Sequence, residues 1–480
     1  MSFRAFPDPV RSAGRVAARS LAALCALLVA AAPPATVRAQ GQAESISLIR
    51  DAEVEDILRK DSEPILIAAG LNPSAVKIHI IGDKTLNAFA AGGQQMFLNT
   101  GMIMEAENPG QLRGVVAHET AHIAGAHLAR MDTGAKNAMK TFLLTMGLGV
   151  LAALAGEPGA GGAMVYSAGY FATLDMLGYT RIQESQADQA AATYLEKAGL
   201  SGKGLVDFFN NFRYEEVFSG ASRYPYFRSH PLGSDRIEAL RVRVEKLPHF
   251  NTPDTPEAIA QHKVMVAKLK GFVQYPSVTL QEYKESDPSF PARYARAIAY
   301  FKDSKPERAL TQIDGLLKDY PSNPYLWELK GQVLFETGKV AESEAPHRKA
   351  VELKPDSPLL RLNLAQTLLS DNVNKADEAL ENLRLVVNAE HDNAFAWRLM
   401  ARAYDIKGEP GMARLASAEQ TYALGQKAEA RAFGMRAREA LPKDSPEWRR
   451  ATDIVMVSEP TKEDLEKLAQ EGSANPVARR

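Results

Sequence analysis

From about residue 290 the chain repeats every 34 residues, and that period limits the fold of its second half more than any other feature. Pro324 and Pro358 stand 34 apart, and Ala309 and Pro321 in one unit match Ser343, Ala350 and Pro355 in pattern in the next. Trp327, Gly331 and Gly338 lie between these two sets. A third unit is stretched by about two residues around Asp371 to Asn374. Trp397, Ala401, Tyr404 and Gly408 open a further helix pair, and Gly425, Ala430, Ala437 and Pro442 close the array. Such a period marks helix pairs that stack into a solenoid, each burying its apolar face on the next and leaving a concave binding surface. The array is expected over 290–445, with a C-terminal helix and tail over 446–480. His347 and His391 fall inside the array and are expected to be packing or surface residues.

The first half carries chemistry instead. His118-Glu119-Thr120-Ala121-His122 reads H-E-x-x-H. Positions four apart share one face of a helix, so the two imidazoles can close on a single ion. Glu119 lies beside them as a base for the water on that ion. Leu112, Val115, Val116 and Ile123 give the helix an apolar face, and Asn108-Pro109-Gly110 can start it. A third protein ligand is needed, and Glu is a standard choice. Glu184 supplies it, on a helix that continues through Leu195 to Gly199. Asp188, four residues on, shares its face and can accept a hydrogen bond from the outer nitrogen of a ligating histidine. The metzincin pattern would place its third histidine at 128, which is Leu128. His127 is one place early, lies off the ligand face, and reads as structural.

At 480 residues the chain is long enough for two or three domains. A net charge of −1 with 24% charged residues argues against a nucleic-acid binder. The N-terminus reads as an export signal over 1–39. Arg4, Arg11, Arg15 and Arg19 precede an apolar core of 12 residues, Leu21 to Ala32, too short to span a bilayer. Cleavage is expected after Ala39, leaving Gln40 at the start of a periplasmic protein. The one cysteine, Cys25, follows Leu24 rather than a small residue, so lipid attachment is not expected. With Cys25 removed, any transition-metal site must use His, Asp or Glu.

Ser45 to Ala69 reads as a helix and Val76 to Ile81 as a strand, with His79 facing solvent. A second strand follows the Gly92-Gly93 turn at Gln95 to Leu98. A small sheet just before the metal helix has a free edge that can pair with an extended peptide. Phe142 to Ala155 is an apolar run of 14 residues that suits a core helix or an interfacial segment, leaving peripheral membrane contact open. Gly156 to Gly169 is either a lid or an ordinary loop. Residues 246–289, with Pro248, Pro253, Pro256 and Pro276, read as a connector.

Taken in order, His118-Glu119-x-x-His122, Glu184-x-x-x-Asp188 and Ser229-His230-Pro231 with Arg236 five residues later resemble the gluzincin family of HtpX-like and CaaX-prenyl-protease-like enzymes. The resemblance covers roughly residues 45 to 245. It implies one Zn2+ per chain on His118, His122 and Glu184, with Glu119 as base and Asp188 behind the ligands. It brings His230 close to the metal, as a fourth ligand and gate or as a transition-state stabiliser. The integral-membrane relatives need several long apolar spans, which this chain lacks.

The repeats resemble tetratricopeptide repeats. A leader, this protease and these repeats together are similar to the periplasmic β-barrel assembly-enhancing proteases of Gram-negative bacteria. The fold class expected is mainly α: a metalloprotease domain over 40–245, helical with a small β-sheet, then an α-solenoid. The resemblance implies a zinc endopeptidase in quality control of outer-membrane β-barrel proteins, degrading misfolded clients and assisting assembly. Its expected partners are unfolded or misassembled outer-membrane proteins and, through the repeats, the barrel-assembly machinery. The rival expectation is a repeat chaperone or scaffold with a latent protease site.

Overall fold

The computed structural model describes residues 48–91, 94–127, 136, 140, 180–212, 226, 230–231, 233–371 and 373–470. The export signal with Cys25, the apolar run 142–155, the glycine-rich segment 156–169 and the tail from 471 lie outside the described residues.

The N-terminal half starts with strand β1, Leu48–Ile49, and helix α1, Ala52–Ala68. The helix expected from Ser45 thus begins later. Asp51 caps it, accepting from the backbone of Glu53 at 3.0 Å and Val54 at 2.9 Å. The residues just before the cap pair with a strand instead. Strands β2 (Lys77–Ile81), β3 (Ala88–Ala91) and β4 (Gln95–Asn99) complete a four-stranded sheet in the order β1-β2-β4-β3. β2 and β4 run parallel, and β3 lies antiparallel on the outer side of β4. The parallel register sets His79 opposite Phe97. His79 is therefore half-buried rather than solvent-facing, stacked on Phe97 at 4.7 Å with Nε2 3.1 Å from Gln95 Oε1.

Helices α2 (Thr100–Glu105) and α3 (Pro109–Ala124) follow the sheet. After them come α4 over 180–197, α5 (Lys203–Phe212) and α6 (Ser234–Val244). α3 and α5 approach backbone to backbone. A Cβ on Gly204 would lie 2.2 Å from the Gly110 carbonyl carbon, and one on Gly114 2.7 Å from Leu205 Cα. Their apolar faces meet α1 and the sheet in one buried cluster that includes Val54, Leu58, Met96, Leu112, Val116 and Phe208.

Residues 246–289 hold α7 (Pro256–Val273) and α8 (Pro276–Glu282). α7 serves two cores. Met265 and Leu269 belong to the cluster just described, while Val264 and Phe272 pack on the first helix pair of the repeats. That pair is α9 (Phe290–Lys302) and α10 (Pro306–Asp319). Next come α11 (Pro324–Glu336) with α12 (Val340–Leu353), and α13 (Pro358–Asp371) with α14 (Ala376–Ala389). α15 (Ala394–Ile406) and α16 (Pro410–Ala423) form a further pair. α17 (Lys427–Ala440), α18 (Pro446–Val457) and α19 (Lys462–Gln470) end the array. A 3-10 turn, Val373–Lys375, accounts for the stretched third unit.

The array is tied to the start of the N-terminal half. Lys268 Nζ lies 2.8 Å from Asp51 and 3.3 Å from Glu53, and Tyr294 donates to Glu53 at 2.8 Å. Tyr325 donates to Asp56 at 3.0 Å, Arg50 pairs with Glu390 at 2.7 Å, and Lys77 pairs with Asp392. Among the described residues, no helix is long and apolar enough to cross a membrane.

Candidate metal centre and active site

α3 starts cleanly. Asn108 accepts from the Gln111 backbone at 3.0 Å, and Pro109 occupies the first helical position, where its missing N–H costs nothing. The helix carries His118 and His122 into the interior on one face, with Nε2 atoms 3.0 Å apart. α4 carries Glu184 and Asp188, one turn apart and both buried. The Glu184 carboxylate lies 3.3 Å from each of those Nε2 atoms. His230 arrives from far along the chain. Its backbone N–H donates to Tyr226 at 2.8 Å, and its ring lies against that of Tyr226 at 4.6 Å. Nδ1 of His230 is 3.2 Å from His118 Nε2 and 3.1 Å from both Glu184 oxygens.

His118, His122, Glu184 and His230 thus offer ligand atoms that all lie within 4.8 Å of one another. Zinc at its usual ligand distances separates neighbouring tetrahedral ligands by about 3.3 Å. The spacings match, and nitrogen with carboxylate oxygen is a donor set zinc accepts. Glu119, next to His118 in the chain, is fully buried, and neither of its carboxylate oxygens has a hydrogen-bond partner among the described residues. His230 Nε2 lies 3.6 Å from it, beyond hydrogen-bond reach. A buried carboxylate without a donor is costly, and a water on a metal at this point would supply one. The residues therefore fit a metal ion.

Residues 49–244 match Peptidase family M48, and residues 294–358 match a tetratricopeptide repeat family. Residues 49–244 are thus similar to the M48 metallopeptidases. The chain is accordingly a metalloprotease, a hydrolase of the zinc-dependent class. It is 27% identical over 335 residues to a putative β-barrel assembly-enhancing protease of Vibrio cholerae, covering 68% of this chain and 67% of that protein. It is 26% identical over 329 residues to the β-barrel assembly-enhancing protease of Escherichia coli K12, covering 68% of this chain and 66% of that one. The metalloprotease YcaL of the same organism is 26% identical over 177 residues, 36% of this chain and 63% of its own. The matches thus span about two thirds of each relative.

Behind the cluster of four stands a second layer of charge. Asp188 Oδ1 lies 3.0 Å from His118 Nδ1, the nitrogen facing away from the cluster. Arg236, on α6, grips both Asp188 oxygens, lies 3.0 Å from Glu184 Oε2, and donates to the Pro231 carbonyl at 2.8 Å. It joins Glu184 and Asp188 to the residue after His230. Its place five residues past His230-Pro231 was visible in the sequence; its bridging role was not.

The electrostatics follow from this layout, taken without a metal. Burial alone would lower the His118 pKa, but Asp188 and Glu184 outweigh it and hold the imidazole up at about 9. Burial, with His118 adding to it, pushes His122 down to about 2. Burial works against Glu184 and Asp188 as anions. His118 and His230 nonetheless keep Glu184 well below the carboxylate range, and Arg236 and His118 keep Asp188 low. Burial, reinforced by Glu119 and Glu184, drives Tyr226 far above the phenol range, so it stays a neutral hydroxyl. His127 is not in the cluster of four, but it touches His122 from outside: their Nδ1 atoms are 3.0 Å apart.

Proposed function

We propose that the chain is a zinc-dependent endopeptidase of the periplasm, with one Zn2+ held by His118, His122 and Glu184, acting on outer-membrane β-barrel proteins. The observation that carries this reading is the convergence of those three residues beside the buried Glu119, which has no hydrogen-bond partner among the described residues. A zinc ion held by these residues would supply Lewis acidity and an activated water at neutral pH. Glu119 would hold a proton at its carboxylate beside the cluster and pass it to the leaving amine. Asp188 orients His118, and Arg236 steadies Asp188 and Glu184 together. Among the described residues β3 is paired on one side only, which suits an extended peptide adding as a further strand.

The client class rests on the names of the relatives, which concern β-barrel assembly. On this reading the enzyme degrades misfolded clients and assists assembly, and the repeats dock the barrel-assembly machinery. The export signal over 1–39, the peptidase domain over 40–245 and the repeats over 290–445 belong to the same proposal.

A second reading has one observation in its favour. Nδ1 of His230 sits among the ligand atoms, where it would fill the fourth position. The chain would then rest as a latent protease while its repeats work as a scaffold. The test incubates the zinc-loaded chain with an unfolded outer-membrane barrel protein and with an unfolded soluble protein. Preferential cleavage of the barrel protein is expected. Equal cleavage of both would remove the client assignment, and capture of the barrel protein without cleavage would favour the scaffold.

A further inference from the structure

The end of α3 returns a side chain to the metal site. Gly125 closes the helix, and Ala126 takes a left-handed backbone with φ 48°. Few residues other than glycine adopt that conformation. The turn brings the buried His127 back over the helix it has just left. Gly125 leaves the room, since a Cβ there would lie 2.5 Å from His127 Nε2. His127 Nδ1 then stands 3.0 Å from His122 Nδ1, with the rings edge to face at 4.9 Å. The His127 carbonyl accepts from Gln183 Nε2 at 3.3 Å, and Gln183 immediately precedes Glu184. A strained turn, a glycine clearance and a link to the helix of another ligand all fix one ring.

The two nitrogens of His122 have different surroundings. Nε2 faces His118 and Glu184, while Nδ1 faces His127. A neutral imidazole offers a lone pair at Nε2 only when its proton sits on Nδ1, and the group accepting that proton's hydrogen bond selects the tautomer. Asp188 stands in the same relation to His118. We propose that His127 is a positioning residue that accepts the Nδ1–H of His122 and holds Nε2 of His122 towards the metal. Its own Nδ1 must then be unprotonated. A neutral acceptor does this without adding a further anion to a site that already holds Glu119, Glu184 and Asp188.

This inference rests on the metal site proposed above. The test compares the zinc affinity of the full chain by chelator competition in wild type, His127→Phe and His127→Asn, alongside the melting of each zinc-free chain. Phenylalanine keeps the ring and removes the acceptor, so affinity should fall roughly 10- to 100-fold, as for other groups that support a ligand from behind. Asparagine places Oδ1 near the lost Nδ1 and should restore most of that affinity. Wild-type affinity in His127→Phe, or equal weakness in His127→Phe and His127→Asn, would overturn the inference. Should His127→Phe not fold, 15N-histidine spectra of the zinc-loaded wild type decide. A proton on His122 Nδ1 and none on His127 Nδ1 is expected, and the reverse would overturn it. A wild-type chain that binds no zinc would instead overturn the metal site itself.

Discussion

His230 Nδ1 lies 3.2 Å from His118 Nε2, although 112 residues separate the two in the chain. A catalytic zinc site normally has three protein ligands and leaves one position for water or substrate. A fourth ligand at that position makes the enzyme latent until it withdraws. Replacing His230 by Ala should therefore raise basal proteolysis of casein and self-cleavage. Lower activity in His230→Ala with zinc still bound would make His230 a participant in the reaction rather than its gate.

The metal assignment has its own test. Elemental analysis of the purified chain should find one zinc per chain, and His122→Ala should lose it. Full zinc content in His122→Ala would exclude that residue as a ligand. The variant removes a nitrogen that lies 3.3 Å from Glu184, so the carboxylate keeps His118, His230 and Arg236 but loses one imidazole.

How far the site was legible in the chain depended on distance. His118, Glu119 and His122 sit within one helix turn, where a fixed period converts spacing into geometry. Glu184 and Asp188 could be found because an i, i+4 acidic pair among buried residues needs a reason. His230 came only through resemblance, because no local pattern tells which loop will reach a site 112 residues away. The role of Arg236 needs three partners at once, and none is near it in sequence except Pro231. β1 left no signal, since a strand of two residues has no period. Pro256 and Pro276 looked like punctuation in a connector, yet each occupies the opening turn of a helix, where proline is preorganised. The 34-residue step was the easiest feature to read, because it repeats.

The link between the two halves can be tested at Lys268. Its side chain is 1% exposed, and Asp51 and Glu53 face its ammonium. Removing the cation leaves two carboxylates without their counter-charge, and breaking one partner of a buried pair typically costs about 3–5 kcal/mol. Lys268→Met should lower the urea midpoint of the chain markedly. Adding Glu53→Gln and Asp51→Asn to it should recover part of the loss. An unchanged midpoint in Lys268→Met would show that this cluster does not hold the halves together.

Inside the repeats, His347 is buried, its Nδ1 is 2.8 Å from Thr367 Oγ1, and burial pushes its pKa down to about 4. In the unfolded chain it titrates near 6.5. Between these values the unfolded chain binds a proton that the folded chain does not. The contribution of His347 is therefore full above pH 6.5 and is lost as the pH falls through about 4. The interval amounts to roughly 3 kcal/mol at about 1.4 kcal/mol per pKa unit. His347→Gln should flatten the acid limb of the stability profile, read as urea midpoints from pH 7 down to pH 4. An identical slope in both proteins would mean that His347 is protonated in the fold.

The central claim is that this chain hydrolyses peptide bonds with Glu119 as its proton carrier at a zinc held by His118, His122 and Glu184. It is tested most directly by the cleavage rate of casein in four zinc-loaded chains: wild type, Glu119→Gln, His230→Ala and His230→Ala with Glu119→Gln. All four should hold one zinc, and both chains with Glu119→Gln should lose cleavage to background. If His230→Ala cleaves casein as fast with Glu119→Gln as without it, Glu119 is not the base and the account is wrong.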